Sequence, residues 1–238
     1  MGPPRTSAIR GADRAKRYDF HSHTFLTDGQ NSATDLWHEA ELLGHAALAV
    51  TDHVGLNDPR PLLERLRSEA RGWEGSGMVT LVGVEVTHVR PDKIAGVVRA
   101  ARRAGAEIVL VHGETLAEHV LPGTNRAALE TGEVDVLAHP GLLSIEDAEL
   151  ARAQGTLLEI SSRPGHSLAN GLVVRRAIEV GARMVVDSDA HRTGELLTAA
   201  RARDVAMAAG VTGDSVGLTL EETPRELLKR VGQPQSRR

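Results

Sequence analysis

The sequence predicts an α/β fold: a parallel sheet covered by helices and closed, or nearly closed, into a barrel of βα units. Three observations carry that prediction. From residue 18 onward, short runs rich in Val, Leu and Ile alternate with amphipathic stretches rich in Ala, Leu, Glu and Arg. The runs are apolar at nearly every position, as parallel strands buried on both faces are. The chain has 238 residues and no Pro-, Gly- or Ser-rich linker between its units, which fits one large domain. An open doubly wound sheet is the alternative architecture.

Strands are expected at YDFH (18–21), AALAV (46–50), VTLVGVEV (79–86), EIVLVH (107–112), VDVLAH (134–139), TLLEI (156–160) and RMVVDS (183–188). Helices are expected between them at 33–44, 60–72, 93–105, 145–155 and 171–181. Several of these end in Gly, the residue suited to a left-handed C-cap. Residues 1–17 are basic with no apolar stretch behind them, so they read as a flexible arm and not as a secretory signal. Residues 18–231 are the expected folded domain, and 232–238 a C-terminal tail.

Composition narrows the function. Lys and Arg number 28 against 32 Asp and Glu, a formal charge of −4 that gives no long-range attraction for a polyanion. Two Trp, two Phe and one Tyr are too few for stacking along a nucleic-acid strand. Both facts argue against long nucleic acid and leave room for a small phosphorylated substrate. There is no Cys, which excludes disulfides, thiolate metal sites and cysteine nucleophiles and is compatible with a cytoplasmic setting. No segment approaches the roughly 18 apolar residues of a membrane span.

The 11 histidines are the informative residues. The first strand ends in His21 and His23, the second leads to Asp52 and His53, and the third carries Glu85. The fourth ends in His112, the fifth in His139, and the seventh leads to Asp189 and His191. In a parallel barrel the carboxyl ends of all strands open onto one mouth, so these residues converge. A lone strand-end histidine is usually a hydrogen-bonded structural residue. This many imidazoles and carboxylates around one mouth would, without a cation, be left unpaired or mutually repelling. Imidazole and carboxylate without sulfur suit Zn, Mn or Fe, and the number of ligands exceeds one tetrahedral site, so two or three divalent ions are expected.

The motifs DFHSHTFLTDG (19–29), TDHVG (51–55), GVEVTH (83–88), VHGE (111–114), LAHPG (137–141), EISSRPGH (159–166) and DSDAH (187–191) resemble those of the PHP (polymerase and histidinol phosphatase) superfamily, in its order. ETPRELL (222–228) resembles the helix that closes many stand-alone members. The resemblance implies a distorted seven-stranded (β/α)7 barrel with a trinuclear metal site. It implies His21, His23, Glu85 and Asp189 on one ion, Glu85, His112 and His139 on a second, and His53 and His191 on a third. The loop TFLTDG offers Asp28 to the third ion where the histidinol phosphatase pattern has a histidine.

The expected reaction is hydrolysis of a small, histidinol-phosphate-like monoester by a metal-activated hydroxide, with ions bridged by Glu85 and Asp189 among the catalytic ligands. Arg163, in SSRPGH after the one strand without a ligand, is the expected phosphate clamp, and His166 its helper or the proton donor to the leaving group. Asp52 and His88 are expected to orient ligands from behind, whereas His38, His45 and His119 read as surface or packing residues. Asn125 and Asn170 read as helix caps. A phosphodiesterase or nuclease acting on nucleotides or nucleic-acid ends is the alternative, and a non-catalytic metal-binding module a further one.

Overall fold

The computed structural model describes residues 16–73 and 75–231. Most of the expected arm and all of the expected tail lie outside the described residues; Arg17 opens the first strand. Nine strand segments run in chain order: β1 (Arg17–Asp19), β2 (His45–Val50), β3 (His53–Val54), β4 (Val79–Val82), β5 (Val84–Val86), β6 (Val109–His112), β7 (Val136–Ala138), β8 (Leu157–Ser161) and β9 (Met184–Asp187). Every pairing is parallel, in a three-stranded sheet ordered β1-β2-β4 and a six-stranded sheet ordered β3-β5-β6-β7-β8-β9.

The parallel α/β architecture is as expected, but the count of seven strands in one sheet is corrected. The apolar run 79–86 is broken into β4 and β5, and a further two-residue strand, β3, follows the run 46–50 after a gap at residues 51–52. At Gly83 a Cβ would collide with the Ile108 side chain and carbonyl, so only glycine lets the neighbouring backbone approach where β4 gives way to β5. Between β2 and β3 the chain turns at Thr51 and Asp52, where the Asp52 carboxylate accepts from Thr24 and Thr27. Backbone bonds still carry the pairing across both breaks, from Gly83 N to Val50 O (2.9 Å) and Glu85 N to Asp52 O (3.1 Å). The first and last strands are joined differently. Arg17 Nη1 donates to Val186 O (2.8 Å), Phe20 N to Asp187 Oδ1 (2.8 Å) and Ser188 N to Asp19 Oδ1 (3.0 Å), and a single bridge pairs Ser22 with Ala190.

Helices α1 (Ala33–Leu42), α2 (Arg60–Ala70), α3 (Pro91–Arg103), α4 (Thr124–Glu130), α5 (Ile145–Gln154), α6 (Asn170–Val180) and α7 (Ala199–Ala208) alternate with the strands. Five match the expected stretches to within a few residues; α4 and α7 were not anticipated. Ser32 starts α1 with a capping box, its hydroxyl accepting from Asp35 N and the Asp35 carboxylate accepting from Ser32 N. Gly155 and Gly181 end α5 and α6 in the left-handed conformation, at φ 71° and 73°. Alternate strand residues serve two cores. Val84, Val86, Val109 and Val111 pack in a large cluster against the helices, while Leu110, Val136, Leu157 and Val185 join Phe20 in a second cluster on the other face. The helix Thr223–Val231, expected from ETPRELL, adds Leu227 to that second cluster and is tied to Arg183, ahead of β9, through Thr223 and Glu226. No helix among the described residues is long and apolar enough to cross a membrane.

Candidate metal centre

The strands end where the histidines begin, and one carboxylate sits among them. Glu85, on β5, is fully buried and lies within 3.7 Å of five imidazoles: His53 (2.9 Å), His112 (3.4 Å), His139 (3.4 Å), His21 (3.5 Å) and His23 (3.7 Å). Asp189 Oδ1 stands 3.3 Å from His23 Nε2 and 3.7 Å from His21 Nε2. At the mouth, the more exposed Asp28 places Oδ2 3.2 Å from His53 Nε2 and 3.1 Å from His191 Nε2.

Four overlapping groups thus hold ligand atoms within 4.8 Å of one another: His21, His23 and Glu85; His21, His139 and Asp189; Glu85, His112 and His139; and His23, Asp28, His53 and His191. All nine expected ligands fall in these groups. His23 faces two of them, with Nε2 toward Glu85 and Nδ1 4.0 Å from Asp28 Oδ1.

The donor set fits divalent cations on two observations. Both nitrogens of His23 and of His112, with His21 Nε2, His139 Nδ1 and Glu85 Oε1, are buried and make no hydrogen bond. His139 and Asp189 hold left-handed backbones at φ 26° and 51°, a conformation that non-glycine residues keep where function over-determines it.

Electrostatics tell the same story. Burial would lower His21, but the carboxylates of Glu159, Asp189 and Glu85 raise it well above its usual value. Burial likewise opposes, and Glu85 and Asp28 overcome it, in raising His53 to about 10. Burial would raise Glu85, yet His21 and His53 hold it well below the carboxylate range. Burial, and then the charges of His21 and His53, outweigh Asp189 and lower His23 to about 4. The charge that Glu85, Asp189, Asp28 and Glu159 draw onto the imidazoles is one that cations supply in their place.

No protein-family model matches the chain. It is 38% identical over 217 residues to an uncharacterized protein of Methanocaldococcus jannaschii, covering 90% of this chain and all of that protein. It is 27% identical over 230 residues to ribonuclease P protein component 3 of Methanosarcina mazei, covering 90% of this chain and 89% of that one. Its fold matches a chain in the structure of archaeal ribonuclease P with mature tRNA, with a TM-score of 0.64 at 15% identity over 90% of this chain and 89% of the other. It also matches histidinol phosphate phosphatase of Lactococcus lactis complexed with zinc, L-histidinol and phosphate, with a TM-score of 0.53 at 13% identity over 92% and 95% of the two chains. The chain shares its fold with this histidinol phosphate phosphatase and with the archaeal ribonuclease P chain, the kind of fold that its resemblance to the PHP superfamily implies.

Within this fold the other expected residues fall as follows. Arg163 reaches the cluster, but its Nη1 contacts His191 Nδ1 (2.8 Å) and Asp189 O (3.2 Å), so it is held by site residues at the rim. His166 is buried, with its ring 4.1 Å from that of His139, Nδ1 on Thr115 Oγ1 (2.8 Å) and Nε2 3.4 Å from Glu118. Burial and the neighbouring His139 lower it to about 4. Asp52 orients no histidine; it takes Thr24 N, Thr24 Oγ1 and Thr27 Oγ1 and so shapes the loop that presents Asp28. Asn125 and Asn170 tie loops and do not cap, through Glu114 N, Pro140 O and Ser161 O. His45 is a packing residue bonded to Leu197 O, and His38 is exposed.

Two residues of the site were not anticipated. Glu159, on β8, is fully buried, with Oε1 2.6 Å from His21 Nδ1 and Oε2 accepting from His139 N (2.8 Å). It stands behind two candidate ligands and fixes the ring of one and the strained backbone of the other. Glu118, in the loop after β6, lies 3.4 Å from both His112 Nε2 and His166 Nε2. The signal for Glu159 was a lone carboxylate inside the apolar run TLLEI; nothing in the sequence marked Glu118.

Proposed function

We propose that the protein is a metal-dependent phosphoesterase whose substrate is a nucleotide or the end of a nucleic acid, with residues 18–231 acting as one domain and the two sheets as one distorted barrel. The observation that carries the hydrolase reading is Glu85, a buried carboxylate with imidazoles disposed around both of its oxygens. The relation to ribonuclease P protein component 3 moves the substrate away from a histidinol-phosphate-like monoester and toward the nucleic-acid class. The charge of −4 keeps it short.

In this reading Glu85, His21, His23, Asp189, His112 and His139 would hold divalent cations in the buried part of the centre, and His53, His191 and Asp28 would hold a further one at the mouth. Zn, Mn and Fe suit such ligands. Bound there, divalent cations supply Lewis acidity and activate water at neutral pH. The protein's own residues bind and orient. An imidazole that accepts from Arg163 at Nδ1 carries its proton on Nε2, facing Asp28. The opposite His191 tautomer, with Nδ1 donating to Asp189 O at 3.0 Å, frees Nε2 as a ligand and releases Arg163 from His191, leaving the guanidinium on Asp189 O and beside Glu195. A released guanidinium at the rim is the proposed phosphate clamp. His166, neutral at pH 7, accepts or relays a proton and is not a standing acid.

Hydrolysis by the manganese- and zinc-loaded protein, followed as phosphate from a monoester and a nucleotide bisphosphate and as the released alcohol from a diester, tests the reading. Turnover of nucleotide substrates is expected, Glu85→Gln should abolish it, and Arg163→Ala should raise KM at least about tenfold. A metal-replete protein that releases nothing from any of the three would instead be a metal-binding module.

A further inference from the structure

Beside the candidate metal centre, on the helix-facing side of the sheet, lies a cavity of about 210 Å³. Val86 and Val111, from β5 and β6, line it together with Val89, Ile94, Val120 and Leu121. His112, a candidate ligand, stands at its lip. His88 and His119, which the metal clusters do not use, line it as well. His88 is held at φ 56°, with its ring centroid 6.2 Å from that of His112.

The wall formed by residues 114–123 is fastened at both ends. Glu114 Oε1 accepts from Gly123 N (3.0 Å) and Asn125 N (2.9 Å), while Asn125 Oδ1 accepts from Glu114 N (2.9 Å) and its Nδ2 donates to Pro140 O (2.8 Å). The same loop is pressed against the one after β7. Gly113 N donates to Ala138 O (3.0 Å), and a Cβ at Gly141, at φ 66°, would collide with the Glu114 carbonyl. The cavity is therefore a built feature of the fold.

We propose that this cavity is the subsite for a planar, uncharged heteroaromatic ring carried by the phosphate ester. The inference rests on the phosphoesterase reading and adds to it which part of the substrate is recognised. No Lys, Arg, Asp or Glu is among the lining residues, so neither a second phosphate nor a carboxylate is provided for. Aliphatic walls bury flat apolar faces, and the imidazoles of His88 and His119 offer π-faces for stacking and ring nitrogens for the polar edge. A ring seated there touches His112, whose own ring belongs to a candidate ligand group, so the cavity and the metal cluster share one side chain. A nucleobase and the imidazole of an amino alcohol share this chemistry.

Calorimetry on the manganese-loaded full chain, with adenosine, uridine and L-histidinol as probes and ribose as the ring-less control, tests the proposal without turnover. Binding of the ring-bearing probes at least about tenfold tighter than ribose is expected, the scale of one base-stacking contact. Nucleoside binding assigns the ring to a nucleotide, and binding of L-histidinol alone assigns it to an imidazole amino alcohol. Val120→Trp, which fills the cavity from a half-buried loop position, should remove most of that preference, and His88→Ala, at an exposed position, part of it. Equal affinity for ribose and all three ring probes, or a preference unaltered in both variants, overturns the proposal. Phosphate release from ribose 5-phosphate, measured separately, reports on the hydrolase reading alone.

Discussion

At the scale of single residues, the centre depends on groups that touch no ligand site directly. Glu159 holds the His21 ring at 2.6 Å and the His139 backbone at 2.8 Å from one carboxylate. Glu159→Gln keeps the shape and loses the charge, so manganese affinity measured by titration calorimetry should fall about 10–100-fold while the melting curve of the chelated protein changes little. A variant that binds manganese as the wild type does would reduce Glu159 to packing. The rim residues were legible because histidine and carboxylate recur at strand ends, where a barrel gathers them. Glu159 was not, because it sits within a strand and acts through another residue. Arg163 was legible as a cation near the site, but which of its neighbours it serves depends on a tautomer of His191, which no sequence encodes.

Among the elements, seven apolar runs were readable and the break within one of them was not. Gly83 looked like one glycine inside VTLVGVEV; only the approach of Ile108 shows why the strand must divide there. Helices α4 and α7 escaped notice because TNRAALE is only seven residues long and buries Thr124 and Asn125 beside Ala128 and Leu129, while AARARDVAMA buries only Ala202 and Ala206, so neither shows an apolar stripe. The C-terminal helix is clearer, since Leu227 enters the cluster containing Tyr18, Phe20, Leu157 and Val185. Leu227→Ala should cost about 2–5 kcal/mol of unfolding free energy in urea titrations, the range for a buried leucine whose cavity does not collapse. The metal clusters lie at the other ends of the strands, so manganese stoichiometry should stay as in the wild type. A loss of metal with little loss of stability would contradict that placement.

Across the molecule, acid sensitivity has one source far from the centre. His45 is buried and beside Arg17, and both depress it to about 4 from an ordinary 6.5. Its unfolded form takes up a proton first, so the stability it secures is complete above about pH 6.5 and is lost as pH falls toward 4. Between pH 7 and 5 this amounts to about 2 kcal/mol. His45→Gln should therefore show a smaller drop in melting temperature over that interval than the wild type, and an equal drop would place the acid sensitivity elsewhere. The contact of Gly113 with Ala138 and of Gly141 with Glu114 has its own reach. It gears the loop over the cavity to the turn that carries His139. Whatever levers residues 114–123 outward also tugs Pro140 and the neighbouring imidazole, so occupancy of one compartment is mechanically felt in the other.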